Sequence, residues 1–175
     1  MKGKCFQKIL FVSLLLVPVI LLAYGVRSLV KIGDNTGYAP KQPIPFSHKL
    51  HAGDNQIPCQ YCHVGVDKSK HAVVPPMNVC MNCHQVVKLD SPYIQKLREM
   101  YENGEAIEWI KVHDLPDHVR FTHERHIAAG LDCTQCHGDV GNMERVEQVE
   151  TLQMGFCIDC HRKKDAPTHC ESCHY

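Results

Sequence analysis

Five copies of the pattern Cys-x-x-Cys-His are the feature that most constrains this 175-residue chain. The copies lie at 59–63, 80–84, 133–137, 157–161 and 170–174. Histidine accounts for only 13 of the 175 residues, so its presence after all five cysteine pairs is not expected by chance. The pattern is typical of c-type haem attachment, in which two thiols bond the porphyrin and the histidine binds its iron.

The sequence therefore predicts five covalently attached c-type haems. The predicted thioether-forming residues are Cys59, Cys62, Cys80, Cys83, Cys133, Cys136, Cys157, Cys160, Cys170 and Cys173. The predicted proximal iron ligands are His63, His84, His137, His161 and His174. Ten of the 11 cysteines are used in this way, and the remaining one is Cys5, which we expect to be a free thiol.

Structural zinc is the alternative interpretation of the cysteines. The first two pairs, Cys59/Cys62 and Cys80/Cys83, have the spacing of a zinc ribbon. The last two pairs are too close together for a ribbon, the pair at 133 and 136 has no partner, and zinc does not account for the fixed histidine. Haem is therefore the favoured prediction.

A chain of this length cannot hold five porphyrins and also build a conventional side-chain core. We therefore predict a mostly irregular fold with short α-helices wrapped around covalently bound haems, plus one N-terminal transmembrane helix. The protein is not expected to fold without haem. Lys and Arg together balance Asp and Glu at 19 each, which does not suggest a nucleic-acid partner.

The N-terminal segment combines a basic start with an apolar run. Lys2, Lys4 and Lys8 precede a stretch from Ile9 to Val30 that is long enough to span a bilayer if Arg27 extends towards the interface. This pattern predicts an uncleaved signal anchor, and a cleaved signal peptide is the alternative. The lysines place the N-terminus in the cytoplasm and the cysteine motifs outside it.

The pattern divides the chain into six segments. These are a basic N-terminus at 1–8, a transmembrane anchor at 9–30, a linker at 31–45, a dihaem unit at 46–88, a connecting helix region at 89–112 and a trihaem unit at 113–175. In the connecting region, Ser91, Pro92 and Asn103 can cap a helix with an apolar stripe. We expect that stripe to cover a haem or to join the two halves, with a docking surface as the alternative.

An internal repeat, whose two copies are residues 46–84 and 121–161, supplies candidates for the sixth iron ligand. Phe46-Ser-His48-Lys-Leu-His51 and Phe121-Thr-His123-Glu-Arg-His126 each precede a cysteine motif. A low-spin haem that transfers electrons has both axial positions filled by the protein. Histidines three apart on a helical turn lie on neighbouring edges, so each pair can serve two different haems.

Six distal ligands are predicted, which is one more than five haems require. They are His48, His51, His71, His118, His123 and His126. His113 and His169 are weaker candidates, since His169 directly precedes Cys170. Met77, Met143 or Met154 could replace one histidine, but packing against a porphyrin is the favoured role for each.

These motifs resemble those of a known class of proteins. Phe-x-His-x-x-His followed by Cys-x-x-Cys-His resembles the cytochrome c3 and c7 class of multihaem cytochromes. Phe-Ser-His-Lys-Leu-His-Ala-Gly, Leu-Pro-Asp-His-Val-Arg-Phe-Thr-His and Met-Gly-Phe-Cys-Ile-Asp-Cys-His are similar to the multihaem cytochrome subunits of alternative complex III and of the quinone reductase complex, Qrc. The similarity extends over about residues 44–174.

The resemblance implies partners, a location and a function. The partners are a polytopic quinone-binding membrane subunit of the NrfD type, a periplasmic iron–sulfur subunit related to molybdopterin enzymes, and a soluble cytochrome c or other carrier. The location is the bacterial inner membrane, with one span and the haems on the periplasmic side. The function is electron transfer, with no catalytic residues on this chain. Five haems follow from the motifs, and a sixth would need non-standard attachment.

Two alternative functions remain open at this stage. One is a self-contained quinol dehydrogenase of the NapC/NrfH kind, against which the His-x-x-His repeat and the fifth motif argue. The other is a multihaem reductase such as a nitrite reductase, which needs an iron with an open position. A haem-based sensor is a weaker third class, since no output domain is visible. The sequence does not decide the direction of electron flow.

Overall fold

A computed structural model describes residues 2–30 and 32–175, and within the first helix it leaves the side chains of 2–6, 8–10 and 30 undescribed. The prediction for the Cys5 side chain therefore lies outside what the structure describes. The chain divides into two compact units, Met1–Asp34 and Asn35–Tyr175.

The first unit consists of one long helix, α1 (Lys2–Val30). Within it, Phe11–Leu29 is a 19-residue apolar stretch with a mean hydropathy of 2.0. The side chains from 11 to 29 are exposed within this unit, and Pro18 lies inside the helix. The length and composition are those of a candidate membrane span, although a signal sequence has the same properties.

The second unit is formed by short helices joined by irregular segments. In chain order they are α2 (Cys59–Cys62), α3 (Met77–His84), α4 (Pro92–Glu102), α5 (His123–Ala128), α6 (Thr134–His137), α7 (Met154–Lys163) and α8 (Cys170–Cys173). A π-helical turn at Lys49–Asp54 and a 3-10 turn at Val140–Asn142 complete the set. Within the described residues the β-structure is confined to one isolated antiparallel bridge, Val119 to His174. This confirms the predicted fold of short helices and irregular chain.

A small apolar cluster packs α3 against α4. Ile44, Met81 and Leu97 are its buried members, and Ile94 and Met100 pack against them. Helix α4 begins with Pro92 after Ser91 and ends before Asn103, so the predicted helix and its boundaries are confirmed, whereas the Ser91 side chain accepts no capping hydrogen bond from the described residues. Its apolar stripe lies on the helix that carries the motif at 80–84. Ile44 belongs to the segment that the sequence assigned to a linker, and the structure packs it into this cluster.

The two repeats contact each other through backbone hydrogen bonds at their histidine-bearing turns. The π-helical turn of the first repeat lies against the 3-10 turn of the second, where the Lys49 amide donates to the Met143 carbonyl at 2.9 Å. In return, the start of α5 in the second repeat donates from the amides of His123 and Glu124 to the carbonyls of Lys70 and Ser69, both at 3.2 Å. Each repeat therefore positions the predicted distal ligands of the other.

Candidate haem-binding sites

The five cysteine motifs occur in two structural forms. The motifs at 59–63, 133–137 and 170–174 each occupy little more than a single helical turn. The motifs at 80–84 and 157–161 lie further along the longer helices α3 and α7, which begin at Met77 and Met154. The methionine three residues before the second motif of each repeat therefore marks a helix start, which accounts for its matching position.

The phenylalanine of each repeat packs between the two predicted distal histidines. Phe46 meets His48 edge-on, with centroids 4.9 Å apart, and stacks on His51 at 4.3 Å. Phe121 repeats the arrangement with His123 at 4.8 Å and an interplanar angle of 85°, and with His126 at 4.6 Å. The ring thus fixes the orientation of both imidazoles, a role that the sequence pattern did not assign.

The hydroxyl residue of each repeat caps the histidine-bearing turn. The Ser47 hydroxyl accepts from the Leu50 amide at 3.0 Å, and the Thr122 hydroxyl accepts from the Arg125 amide at 3.3 Å. The carbonyls of Ser47 and Thr122 also face the Nδ1 atoms of the second histidine of each repeat at 2.8 Å. Sequence reasoning missed this role, although Ser or Thr before a helical turn is a capping signal.

Four predicted distal ligands stand in ring contact with a motif histidine. The centroid separations are 6.1 Å for His51 with His84, 6.1 Å for His126 with His161, 6.3 Å for His123 with His137 and 5.5 Å for His118 with His174. Metal–imidazole bonds of about 2 Å, as in zinc sites, place the centroids of two rings on opposite sides of one metal about 6 Å apart. The observed separations are close to that value.

Backbone pairing brings the fourth of these pairs together. Val119 and His174 form the isolated bridge, and the Arg120 amide donates to the Cys173 carbonyl at 2.8 Å. The neighbouring His118 is thereby placed over His174, with their rings inclined by only 19°.

The fifth pair of neighbouring histidines is His48 with the motif histidine His63. His63 and His51 are electrostatic neighbours of His48, and together with burial, the largest cause, they lower the pKa of His48 to about 4. The Nδ1 atom of His48 is buried without a hydrogen-bond partner. Burial likewise lowers the pKa of His137 to about 4, with smaller contributions from neighbouring histidines. These imidazoles are neutral at pH 7, which is the form that binds metals.

Backbone carbonyls face the Nδ1 atoms of six of these histidines. The acceptors are Ser47 for His51, Val73 for His63, Val87 for His84, Lys70 for His123, Thr122 for His126 and Pro167 for His161, at 2.6–3.2 Å. A carbonyl can only accept, so Nδ1 carries the proton and Nε2 keeps its lone pair. Second-shell carbonyls of this kind are typical of histidines that bind metals through the other nitrogen.

His137 differs, because its Nδ1 atom faces a second imidazole. The Nε2 atom of His113 lies 3.2 Å from the Nδ1 atom of His137. Their ring centroids are 4.5 Å apart and the rings are nearly perpendicular, at 83°. This places His113 at the edge of His137, whereas His123 faces His137 with an interplanar angle of 9°. Burial, and secondarily His123, lowers the pKa of His113.

The remaining candidates stand apart from these five pairs. His71 is exposed and is an electrostatic neighbour of His123, so its assignment as a distal ligand stays a prediction. His169 is exposed, and its Nε2 atom lies 2.7 Å from the Ser172 hydroxyl. Met77 packs against the α3–α4 cluster, and Met154 is 64% exposed.

The cysteine pairs lie next to one another in single file. The thiol of Cys62 is an electrostatic neighbour of Cys83 and Cys80, and the thiol of Cys59 is in hydrogen-bonding contact with that of Cys133. Further along, Cys136 has Cys160 and Cys157 as neighbours, and Cys157 has Cys173. The motifs therefore follow the spatial order 80–84, 59–63, 133–137, 157–161 and 170–174. We call this arrangement the cysteine file.

The chemistry of the file fits haem better than zinc. Burial raises the pKa of the Cys62, Cys80, Cys136 and Cys157 thiols. In the part of the chain that the structure describes, no group of three or more His, Cys, Asp or Glu side chains is placed to hold a metal ion together. A zinc ribbon needs four such ligands around one point. Paired imidazoles with free Nε2 atoms beside paired thiols instead suit an iron porphyrin.

Comparisons with known proteins agree with this geometry. Residues 119–175 match the family model described as cytochrome c7 and related cytochrome c. The chain is also 27% identical to the multihaem cytochrome c subunit of menaquinone reductase from Nitratidesulfovibrio vulgaris. That alignment is 146 residues long and covers 71% of this chain and 70% of the relative. The resemblance expected from the motifs is thereby confirmed: the chain is similar to multihaem cytochromes c of the quinone reductase type.

Proposed function

Given this similarity to the cytochrome subunit of a quinone reductase, we propose that the chain is a membrane-anchored, periplasmic pentahaem cytochrome c. It relays electrons between a periplasmic redox partner and a quinone-linked oxidoreductase complex in the membrane. The complex is of the alternative complex III or Qrc type. The relay is the function of this chain, and the chemistry of quinone and of other substrates takes place on its partners.

Each cysteine pair would hold one haem c, and two histidines would bind its iron. The proposed axial pairs are His63 with His48, His84 with His51, His137 with His123, His161 with His126, and His174 with His118. The centroid separations near 6 Å and the carbonyl-bound Nδ1 atoms support this assignment. When bound, each haem iron carries one electron at a time by cycling between its ferric and ferrous forms.

The cysteine file is the observation that carries the proposal. Each thiol would hold a porphyrin through a thioether bond, so neighbouring thiols from two motifs would hold two haems close to one another. The contact between Cys59 and Cys133 joins the first repeat to the second at the middle of the file. Electrons can therefore pass along all five positions, with the motif at 80–84 at one end and the motif at 170–174 at the other.

Two axial histidines on every iron favour relay over catalysis. A haem that binds and transforms a small molecule needs one coordination position free of protein ligands. Five distal histidines stand near five motif histidines, so the described side chains can fill both positions on each iron. Phe46 and Phe121 then hold their imidazoles in place, and the carbonyls behind the rings fix the nitrogen that binds.

The apolar segment Phe11–Leu29 supports attachment to the membrane. Its length suits a single span, and Lys2, Lys4 and Lys8 favour a cytoplasmic N-terminus. The second unit then lies on the periplasmic side. Proposed partners are an NrfD-like quinone-binding membrane subunit, a periplasmic iron–sulfur subunit of the molybdopterin-like kind, and a soluble cytochrome c or other electron carrier.

Gentle isolation from membranes tests the proposal. The full chain, carrying a C-terminal affinity tag, is solubilised in mild detergent and its companions are identified by mass spectrometry. Co-purifying polytopic and iron–sulfur subunits are expected, together with reduction of the haems by menaquinol or oxidation of the reduced haems by menaquinone. A chain that purifies alone and oxidises quinol by itself would instead establish a self-contained quinol dehydrogenase. Nitrite turnover with a high-spin iron would establish a reductase.

A further inference from the structure

His113 is a half-buried histidine for which the proposed relay has no ligand role. It follows the buried Val112 in the segment between α4 and α5, and it is partly buried itself. Its Nε2 atom approaches the Nδ1 atom of His137 at 3.2 Å, which is hydrogen-bonding distance. His137 belongs to the motif in the middle of the cysteine file.

The geometry excludes His113 as the partner of His137 across an iron. Two ligands on opposite faces of one metal approach each other through their Nε2 atoms, whereas His113 approaches the opposite nitrogen of His137. The rings are also nearly perpendicular with centroids only 4.5 Å apart. His123, whose ring is parallel to that of His137 at 6.3 Å, occupies the position expected of the second ligand.

The hydrogen bond has one possible direction once Nε2 of His137 binds a metal. The proton of His137 must then reside on Nδ1, so His137 donates and the lone pair of His113 Nε2 accepts. The six other ligand candidates with a described Nδ1 partner face backbone carbonyls instead. An imidazole nitrogen is a more basic acceptor than an amide oxygen, so it draws the proton of His137 more strongly and makes that ligand more electron-rich.

We propose that His113 is a positioning residue for His137 that lowers the reduction potential of the haem attached at Cys133 and Cys136. This inference rests on the proposed function, because it takes His137 to be an iron ligand. An electron-rich ligand stabilises ferric iron over ferrous iron. The haem in the middle of the file is therefore harder to reduce than its ligand set alone would make it.

Two substitutions of His113 are expected to change the reduction potential of this haem by different amounts. His113→Leu removes the acceptor, and His113→Gln replaces it with an amide carbonyl of the kind that the other ligands use. We expect His113→Leu to shift the ferric/ferrous equilibrium of one haem by about tenfold towards ferrous, which is about 59 mV for a one-electron couple. His113→Gln is expected to shift the same haem in the same direction by less. The matched control is His169→Leu, which removes an exposed histidine with no ligand contact.

The experiment is a spectroelectrochemical redox titration of the full, haem-loaded chain at one fixed pH. Haem content is measured on each sample, and electron paramagnetic resonance records the axial ligation. In both His113 variants, the reduction potential of one of the five haems should rise, and all five haems should be retained. The potentials of the His169→Leu variant should equal those of the wild type. The inference would be overturned if both His113 variants carried five haems with unchanged potentials. It would also be overturned if the His169→Leu control showed a shift in potential of equal size. If the His113→Leu protein cannot be produced, unchanged reduction potentials in the His113→Gln variant are enough to overturn the inference.

A failure of the proposed function has a different result. Wild-type protein with fewer than five haems, or with a high-spin iron, would contradict the relay whatever the His113 variants show. Unchanged potentials in a chain that has five low-spin haems would contradict only the role of His113.

Discussion

Replacing Gly53 with alanine should destabilise the haem-loaded protein by wedging the two repeats apart. Gly53 lies in the turn Lys49–Asp54, two residues after His51, which is a predicted distal ligand. A Cβ at Gly53 would meet the carbonyl oxygen of Gly141 well inside 3.0 Å, and the carbonyl carbon of Gly141 at 3.2 Å. Real Cβ atoms essentially never approach that closely, and both opposing atoms belong to the backbone, so the main chain itself must move.

The size of the effect follows from the cost of overpacking. Extra atoms forced into a packed contact typically cost about 1–3 kcal/mol, which corresponds to a fall in Tm of roughly 2–12 °C for a chain of this size. Gly155→Ala is the matched control, because Gly155 lies in α7 with nothing within 4 Å of its Cβ position. There alanine favours the helix by about 0.5–1 kcal/mol and should raise Tm by roughly 1–4 °C.

Thermal unfolding of the two variants, followed by far-ultraviolet circular dichroism, measures the difference. Both samples must carry the same number of haems per chain, and the scan rate is kept equal. The two substitutions are expected to shift Tm in opposite directions. Equal Tm values, or a Gly53→Ala protein as stable as wild type, would refute the close approach of Gly53 to Gly141 and with it the described contact between the repeats.

Three further substitutions test the site. Thr122→Val removes the cap of α5 and should lower the free energy of unfolding, measured with denaturant, by about 1 kcal/mol. Thr122→Ser keeps the hydroxyl and should retain stability. An equal loss of stability in both variants would contradict the capping role. Phe121→Leu removes the ring that packs on His126 at a tilt of 34°, so it should cost about 1 kcal/mol and change one low-spin resonance signal. An unaltered spectrum would argue against that contact. The double substitution Cys133→Ala and Cys136→Ala removes the middle haem and leaves four. Quinone-linked electron transfer through the purified complex should then stop. Undiminished transfer would exclude the proposed order of the haems.

Much of the site could be predicted from sequence because its strongest signals are local. Two cysteines and a histidine within five residues define each attachment motif whatever the rest of the chain does. The His-x-x-His pairs are local for the same reason, since three residues along a helical turn set their directions. The helix at Pro92–Glu102 was also predictable, because its caps and apolar stripe lie within the segment itself.

The contacts between distant segments could not be predicted in this way. The order of the cysteine file depends on Cys59 meeting Cys133, two residues separated by the whole connecting region. The approach of Gly53 to Gly141 likewise arises from packing between repeats, and the approach of His113 to His137 joins residues 24 positions apart within the trihaem unit. The role of Phe46 and Phe121 was missed for another reason: an aromatic residue before a histidine has many possible functions until the rings are placed.

The central claim is that five irons, each held by two histidines, form one continuous relay. Near-infrared magnetic circular dichroism of the oxidised full chain, with pyridine haemochrome quantification on the same sample, tests it most directly. The account predicts five haems c per chain, all six-coordinate and low-spin with two imidazole ligands. A high-spin iron, a methionine-ligated iron in place of one pair, or fewer than five haems would contradict it.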